Sequence, residues 1–227
     1  MKTIALVLSG CGVYDGSEIH EATLTAYFCD KQGLNISYLA PNIDQSGVIN
    51  HHTGEPSNET RHCLTEASRI ARGPVTALND ATLDNFDAAI FIGGYGAAKN
   101  LSNFATQGKD LSIQDDVARF ILSMHELKKP LGFMCIAPVL VASLIPGVIC
   151  TLGLEQENLD TLEKMGASFR QANYDDVVID NTHLVYSTPA YMIDTSISKI
   201  AIGIEKLVGD ISEAIPEKES TEEAVTA

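Results

Sequence analysis

The sequence predicts an α/β fold with a mostly parallel central sheet. Three observations carry this reading. Short, wholly apolar runs such as Ala88 to Ile92 suit strands covered on both faces. Stretches of helical periodicity lie between them, and glycine-rich turns stand where the strands end.

Taken in order, Thr3 to Leu8 is a β-branched and aliphatic strand that runs into the loop Ser9-Gly10-Cys11-Gly12. Asp15-Gly16-Ser17 supplies turn and N-cap chemistry for a helix from Glu18 to Gln32, closed by Gly33. Glu18 and Glu21 fall near its start, three residues apart and so on one face. Ile36 to Leu39 before Pro41 is a second strand. The polar excursion Asn42 to Asn58 follows and is read as a lid over a pocket. It carries His51 and His52, which on an extended chain point to opposite sides and are poorly placed to share a metal. Glu59 to Arg72 reads as a helix stopped by Gly73-Pro74, and Val75 to Leu78 as a third strand. Ala88 to Ile92 is a clearer fourth, leading directly to Gly93-Gly94-Tyr95-Gly96.

From Ile113 to Leu127, the residues Val117, Phe120, Ile121, Met124 and Leu127 recur at helical spacing. Leu131 to Cys135 is the next strand, and Ala137-Pro138 opens a helix that ends near Leu144, before Pro146-Gly147. Asn158 to Met165 is a short helix. Val177 to Ile179 and Leu184 to Tyr186 form a hairpin across Asn181-Thr182. A last helix buries Ile193, Ile197, Ile200, Ile204, Leu207 and Ile211. Residues 1–212 thus read as one domain, and 213–227 as an acidic, disordered tail.

Composition narrows the function. A formal charge of −15 argues against nucleic acid and anionic membrane surfaces as partners, and no apolar run is long enough for a membrane span. Five scattered cysteines without a C-x-x-C pair suggest reduced thiols and a cytoplasmic protein, and argue against a structural zinc site. No metal is expected.

In such sheets the site lies at the carboxyl ends of the strands, and three loops qualify. Cys135 stands at a strand-to-helix turn, facing the free N–H groups and positive end of the next helix, which favours thiolate; the alternative is a buried structural cysteine. The N–H groups of Gly93, Gly94 and Ile136 are candidate donors to an oxyanion. Glu18 and Glu21 bring carboxyl groups, which shuttle protons if burial raises their pKa and oppose a thiolate if ionised. Capping or salt-bridged glutamates are the common alternative. A nucleotide fits poorly. Asp15 stands where the third glycine of Gly10-x-Gly12 would be, Lys99 stands at that place after Gly94-x-Gly96, and no G-K-[ST] loop follows either.

The stretches Leu8 to Glu21, Gly93 to Ser102, Gly132 to Pro138 and Thr188-Pro189-Ala190-Tyr191-Met192 resemble the ElbB family. This is the isoprenoid-biosynthesis-associated branch of the ThiJ/PfpI superfamily, whose fold is similar to class I glutamine amidotransferases. The similarity runs from about Lys2 to Val208. It implies a flavodoxin-like three-layer sandwich, a nucleophile-elbow cysteine at Cys135 and a carboxyl partner at Glu21, with Glu18 as its neighbour. It also implies self-association as a homodimer, and cofactor-free glyoxalase activity on glyoxal or methylglyoxal. Protease-like relatives place histidine directly after the nucleophile, where this chain has Ile136; amidotransferases carry a late His-x-Glu, which Thr188 to Tyr191 lacks. The sequence therefore points to a small-aldehyde enzyme needing no cofactor. The rival is a redox-responsive or protein-quality-control binding module using the same cysteine as a sensor.

Overall fold

The computed structural model describes residues 1–217. Its first half runs β1 (Thr3–Val7), α1 (Ile19–Lys31), β2 (Asn35–Ala40), β3 (Val48–Ile49), β4 (Pro56–Ser57), α2 (Cys63–Ala71), β5 (Thr76–Ala77) and β6 (Ala88–Phe91). Then follow α3 (Tyr95–Lys99), α4 (Phe104–Gln107), α5 (Asp115–Glu126), β7 (Leu131–Met134), α6 (Pro138–Leu144), β8 (Ile149–Cys150), α7 (Gln156–Lys164), β9 (Ser168–Phe169), β10 (Val178–Asp180), β11 (Val185–Thr188) and α8 (Ile197–Ala214).

Seven strands form the central sheet in the order β10-β11-β7-β6-β1-β2-β5. All neighbours are parallel except β10, which returns antiparallel on β11. Strand alternation divides the core. Ile4, Leu6, Ala88 and Ile90 face the layer of α1, α2 and α8, while Ala5, Val7, Ala89, Phe91 and Phe133 face that of α3, α5 and α6. This is the flavodoxin-like three-layer arrangement, and it explains why β6 and β7, covered on both faces, are apolar throughout. Gly132 has a packing reason of its own: a Cβ there would lie 2.5 Å from Ile211 Cδ1 of α8.

Several boundaries differ from expectation. The second helix begins at Cys63 and not at Glu59, because Asp44 and His62 pair as an antiparallel bridge that keeps the preceding residues extended. The final helix starts at Ile197; Ile193 precedes it and Ile197 is 46% exposed, so the buried stripe is Ile200, Ile204, Leu207, Val208 and Ile211. Its far end outlasts the expected tail boundary at 213. The helix continues to Ala214 and Ile215 is buried, while residues 218–227 lie outside those described. The segment 42–58 is a pinned hairpin. Ile49 N–H donates to Asp15 Oδ2 at 2.7 Å, and Gln45 Nε2 to Asp15 O at 3.0 Å. Among the described residues no helix is long and apolar enough to cross a membrane.

Candidate functional site

Because β7, β6 and β1 are neighbours in the sheet, the loops leaving their carboxyl ends meet over one edge. After β7, Cys135 takes φ +57°, a conformation that costs a residue with a side chain about 1–3 kcal/mol. Two bonds hold the turn: Cys135 N–H to Thr188 O at 3.1 Å, and Ala137 N–H to Met134 O at 3.0 Å. After β6 comes Gly93, whose place no other residue could take, since a Cβ there would collide with the Cβ of Cys135 and with Glu21 Oε2. The cysteine, the carboxyl group and the Gly93 backbone are therefore packed against one another. Glu18 caps α1, its Oε2 accepting Glu21 N–H at 2.7 Å, and its own N–H donates to Gly93 O at 3.0 Å. Asn100, buried, ties the third loop down: its Nδ2 donates to Ser9 O at 2.9 Å and Asp15 O at 2.7 Å.

Glu21 is fully buried. Its Oε1 accepts Tyr191 N–H at 3.3 Å, while Oε2, beside the sulfur, makes no hydrogen bond of ordinary geometry. Burial, and then the charge of Glu18, push its pKa to about 8 against the pull of the Tyr191 N–H, the Cys135 thiol and the Gly93 N–H. At neutral pH this carboxyl group holds a proton and is a donor. The expectation that the helix end would favour the thiolate is corrected: burial first, and the Glu21 charge second, push the Cys135 thiol well up. The N–H groups of Gly94 and Ile136 pull the other way and are outweighed. The repulsion from Glu21 vanishes whenever that carboxyl group is protonated, so the two groups share protons as a pair.

Cys135, Glu18, Gly94 and Ile136 line one cavity of about 170 Å3, and Glu21 lies beside the sulfur. Gly93 departs from its expected role, since its N–H faces the Glu21 carboxyl group. Sequence reasoning assigned no role to Tyr191 or His20. Tyr191 positions Glu21 through its backbone, and its hydroxyl bonds His20 Nδ1 at 2.9 Å. The only signal was position: His20 lies between the two glutamates, and Tyr191 lies in the fourth of the stretches that carry the resemblance. His51 lies elsewhere, in a cleft of about 500 Å3 with Cys11, His52 and Arg61. Its Nδ1 donates to Ile49 O at 3.0 Å and its Nε2 accepts Tyr14 N–H at 3.2 Å, so neither ring nitrogen is free. Among the described residues no group of three or more His, Cys, Asp or Glu side chains could hold a metal.

No family model matches the chain. It is 43% identical over 220 residues to the mitochondrial ES1 protein homolog of Rattus norvegicus, a match covering 92% of this chain and 83% of that protein. The identity is 42% to the mitochondrial glutamine amidotransferase-like class 1 domain-containing protein 3 of Homo sapiens, over 92% of this chain and 82% of that one. The chain belongs to this ES1 family of glutamine amidotransferase-like class 1 domain proteins. A solved structure from Ehrlichia chaffeensis, an isoprenoid biosynthesis protein with an amidotransferase-like domain, is also similar to the ES1-family chain. It superposes with a TM-score of 0.90 at 32% identity, over 95% of this chain and all of that one. Glyoxalase III of Candida albicans shares the fold at 13% identity, with a TM-score of 0.62 over 95% of this chain and 98% of that one.

The names also correct the cytoplasmic expectation. The rat and human ES1-family relatives, and the Danio rerio ES1 protein at 33% identity over 85% of this chain and 77% of that one, are all named mitochondrial. All five cysteines carry free thiols, which name no compartment by themselves.

Proposed function

We propose that this ES1-family chain is a cofactor-independent glyoxalase of the ElbB kind, converting glyoxal or methylglyoxal to a 2-hydroxy acid through Cys135. The observation that carries this reading is the contact of the Cys135 sulfur with a buried, proton-holding Glu21, opposite the N–H groups of Gly94 and Ile136. The cavity above them has room for about five or six waters, which suits a two- or three-carbon dicarbonyl.

The singly deprotonated pair is mainly Glu21 carboxylate with the Cys135 thiol, and its reactive form is the minor tautomer in which that proton has moved to Glu21 and the sulfur is thiolate. The thiolate adds to an aldehyde carbon, and Glu21 passes its proton to the new alkoxide, which the Gly94 and Ile136 N–H groups stabilise while it lasts. The Glu21 carboxylate then removes the proton from that carbon, the proton it has taken up exchanges with solvent, and Glu21 protonates the neighbouring carbon, turning a hemithioacetal through an enediol into a thioester. Water cleaves the thioester, releasing the 2-hydroxy acid and the thiol. One dicarbonyl and one water become one hydroxy acid, so no redox partner enters the balance.

The fold shared with a glyoxalase III supports this reading, and the Ehrlichia relative's name supports the ElbB branch. Amide hydrolysis is disfavoured because His20, close to the site, bonds the Tyr191 hydroxyl and not the sulfur. The sensor alternative uses the same thiol, and peptide mass spectrometry after mild peroxide separates the two: selective sulfinic acid at Cys135 with negligible glyoxal turnover would favour the sensor. A homodimer belongs to the same proposal and is read by light scattering. The deciding experiment is glyoxal turnover in D2O. The enediol route puts one solvent deuteron on C2 of glycolate; product without it, or no product, overturns the mechanism or the activity.

A further inference from the structure

Among the described residues, one acidic side chain and no basic one lines the cavity over Cys135. Glu18 lines it directly, and the other lining side chains are Val13, Tyr95, Ile136, Tyr191 and Met192. Among the described residues no lysine or arginine side chain lines the cavity. Lys99 Nζ donates to Tyr14 O at 2.8 Å and sits 5.4 Å over the ring of Tyr95, while Arg61 lies in the separate cleft, paired with Glu59 at 2.9 Å and Glu66 at 3.5 Å. His20 Nδ1 is 4.0 Å from Glu18 Oε1 but is bonded to the Tyr191 hydroxyl. Among the described residues, Glu18 is thus the acidic side chain that lines the cavity directly, with no lysine or arginine at ion-pair distance and the exposed His20 4.0 Å away. It is held rigid by its capping bond, with only a tenth of its side chain exposed, where solvent screens little.

We propose that Glu18 is the specificity-determining residue of this site, an electrostatic filter that admits neutral or cationic carbonyl compounds and turns away those carrying a carboxylate or phosphate. The inference rests on the reading of Cys135 as a nucleophile toward small carbonyls and says which of them reach it. An N-cap does not require a charge, because a glutamine side-chain oxygen can also accept the Glu21 N–H, though more weakly than a carboxylate. Glu18→Gln therefore keeps the cap and removes the filter.

Alkylation of Cys135 tests this without requiring turnover. Iodoacetamide and iodoacetate are nearly the same size and differ in charge. Their rates at Cys135, followed by peptide mass spectrometry, are normalised to a small free thiol. Both rates change together if Glu18→Gln alters the reactivity of the sulfur, so the ratio isolates the filter. In the wild-type protein the normalised iodoacetate-to-iodoacetamide ratio is expected to fall at least tenfold below unity and to stay low in 0.5 M KCl, which screens the net charge of the chain. Glu18→Gln is expected to restore it to within threefold of unity. A wild-type ratio near unity overturns the proposal, as does a low ratio that Glu18→Gln leaves unchanged or that salt abolishes. A cationic methanethiosulfonate reacting no faster than its anionic counterpart in the wild type also overturns it, and needs no variant to fold. If the ratios behave as expected while glyoxal is not turned over, the filter stands and the glyoxalase reading falls.

Discussion

The cleft beneath the β3–β4 hairpin encloses about 500 Å3 and the cavity over Cys135 about 170 Å3, and the two use their polar groups in opposite ways. In the cleft, His51 has both ring nitrogens bonded, Arg61 is paired with two glutamates, and Asp15 accepts the Ile49 N–H. In the cavity, Glu21 Oε2 has no conventional partner and two N–H groups point at a sulfur. A buried polar group left without a full set of bonds costs stability; Gln45 Oε1 in the 42–58 segment is another such atom, so what marks chemistry at Glu21 is that its orphan oxygen stands beside a cysteine sulfur. The larger space is held open by satisfied structure; the smaller one keeps bonding capacity for a visitor.

The sharpest way to break this comparison is to exchange cysteines between the two spaces. Cys135→Ser is expected to lower glyoxal turnover by roughly a thousandfold or more, whereas Cys11→Ser in the cleft leaves it within about threefold. Equal losses in a steady-state assay would place the chemistry in the wrong cavity. Glu21→Gln is next, with an expected fall in kcat of about a hundredfold or more, since the amide cannot move a proton.

The same variant sharpens the stability side. Glu21 binds its proton up to about pH 8 in the folded chain but, like an ordinary carboxyl group near 4.5, loses it much earlier when unfolded. The folded state therefore holds more protons between those values. This contribution to stability is fully present below about 4.5 and is lost as pH rises through 8, by a few kcal/mol. Urea unfolding at pH 5 and pH 8 is expected to show Glu21→Gln gaining stability relative to wild type at the higher pH. A difference independent of pH would mean that Glu21 is ionised in the fold. Because the Cys135 pKa is raised above 9, that thiol adds no slope in this window.

Smaller effects belong to the cleft. His51→Ala removes two hydrogen bonds and is expected to cost about 1–2 kcal/mol in denaturant titration, with turnover within about threefold. Arg61→Ala, an exposed pair member, is expected to cost less than about 1 kcal/mol and leave turnover unchanged.

The helix over Asp115–Glu126 was legible because its apolar positions recur at one period, and the central strands because they are apolar throughout. The start of α2 was not, because the Asp44–His62 bridge is a pairing between distant segments that holds Glu59 to Arg61 out of helix. Cys135, Glu18 and Glu21 were placed on one sheet edge from residue type and position after the strands, while the pairing of Glu21 with the sulfur was implied by the family resemblance. Tyr191 was not assigned a role because it acts on Glu21 through its backbone N–H, which every residue but proline possesses.

The sequence by itself determined the chain order of the seven central strands and the six longer helices, the covered sheet, and which loops end at its carboxyl edge, since these follow from local periodicity and turn chemistry; the two small sheets and the short helices α3 and α4 it did not reveal. The tertiary structure alone decided the protonation of the site. The helix end was read as making Cys135 a thiolate, but the fold buries it against a carboxyl group that itself keeps a proton to about pH 8. Desolvation depends on what surrounds a group from every side, and residues more than a hundred positions apart supply those surroundings here.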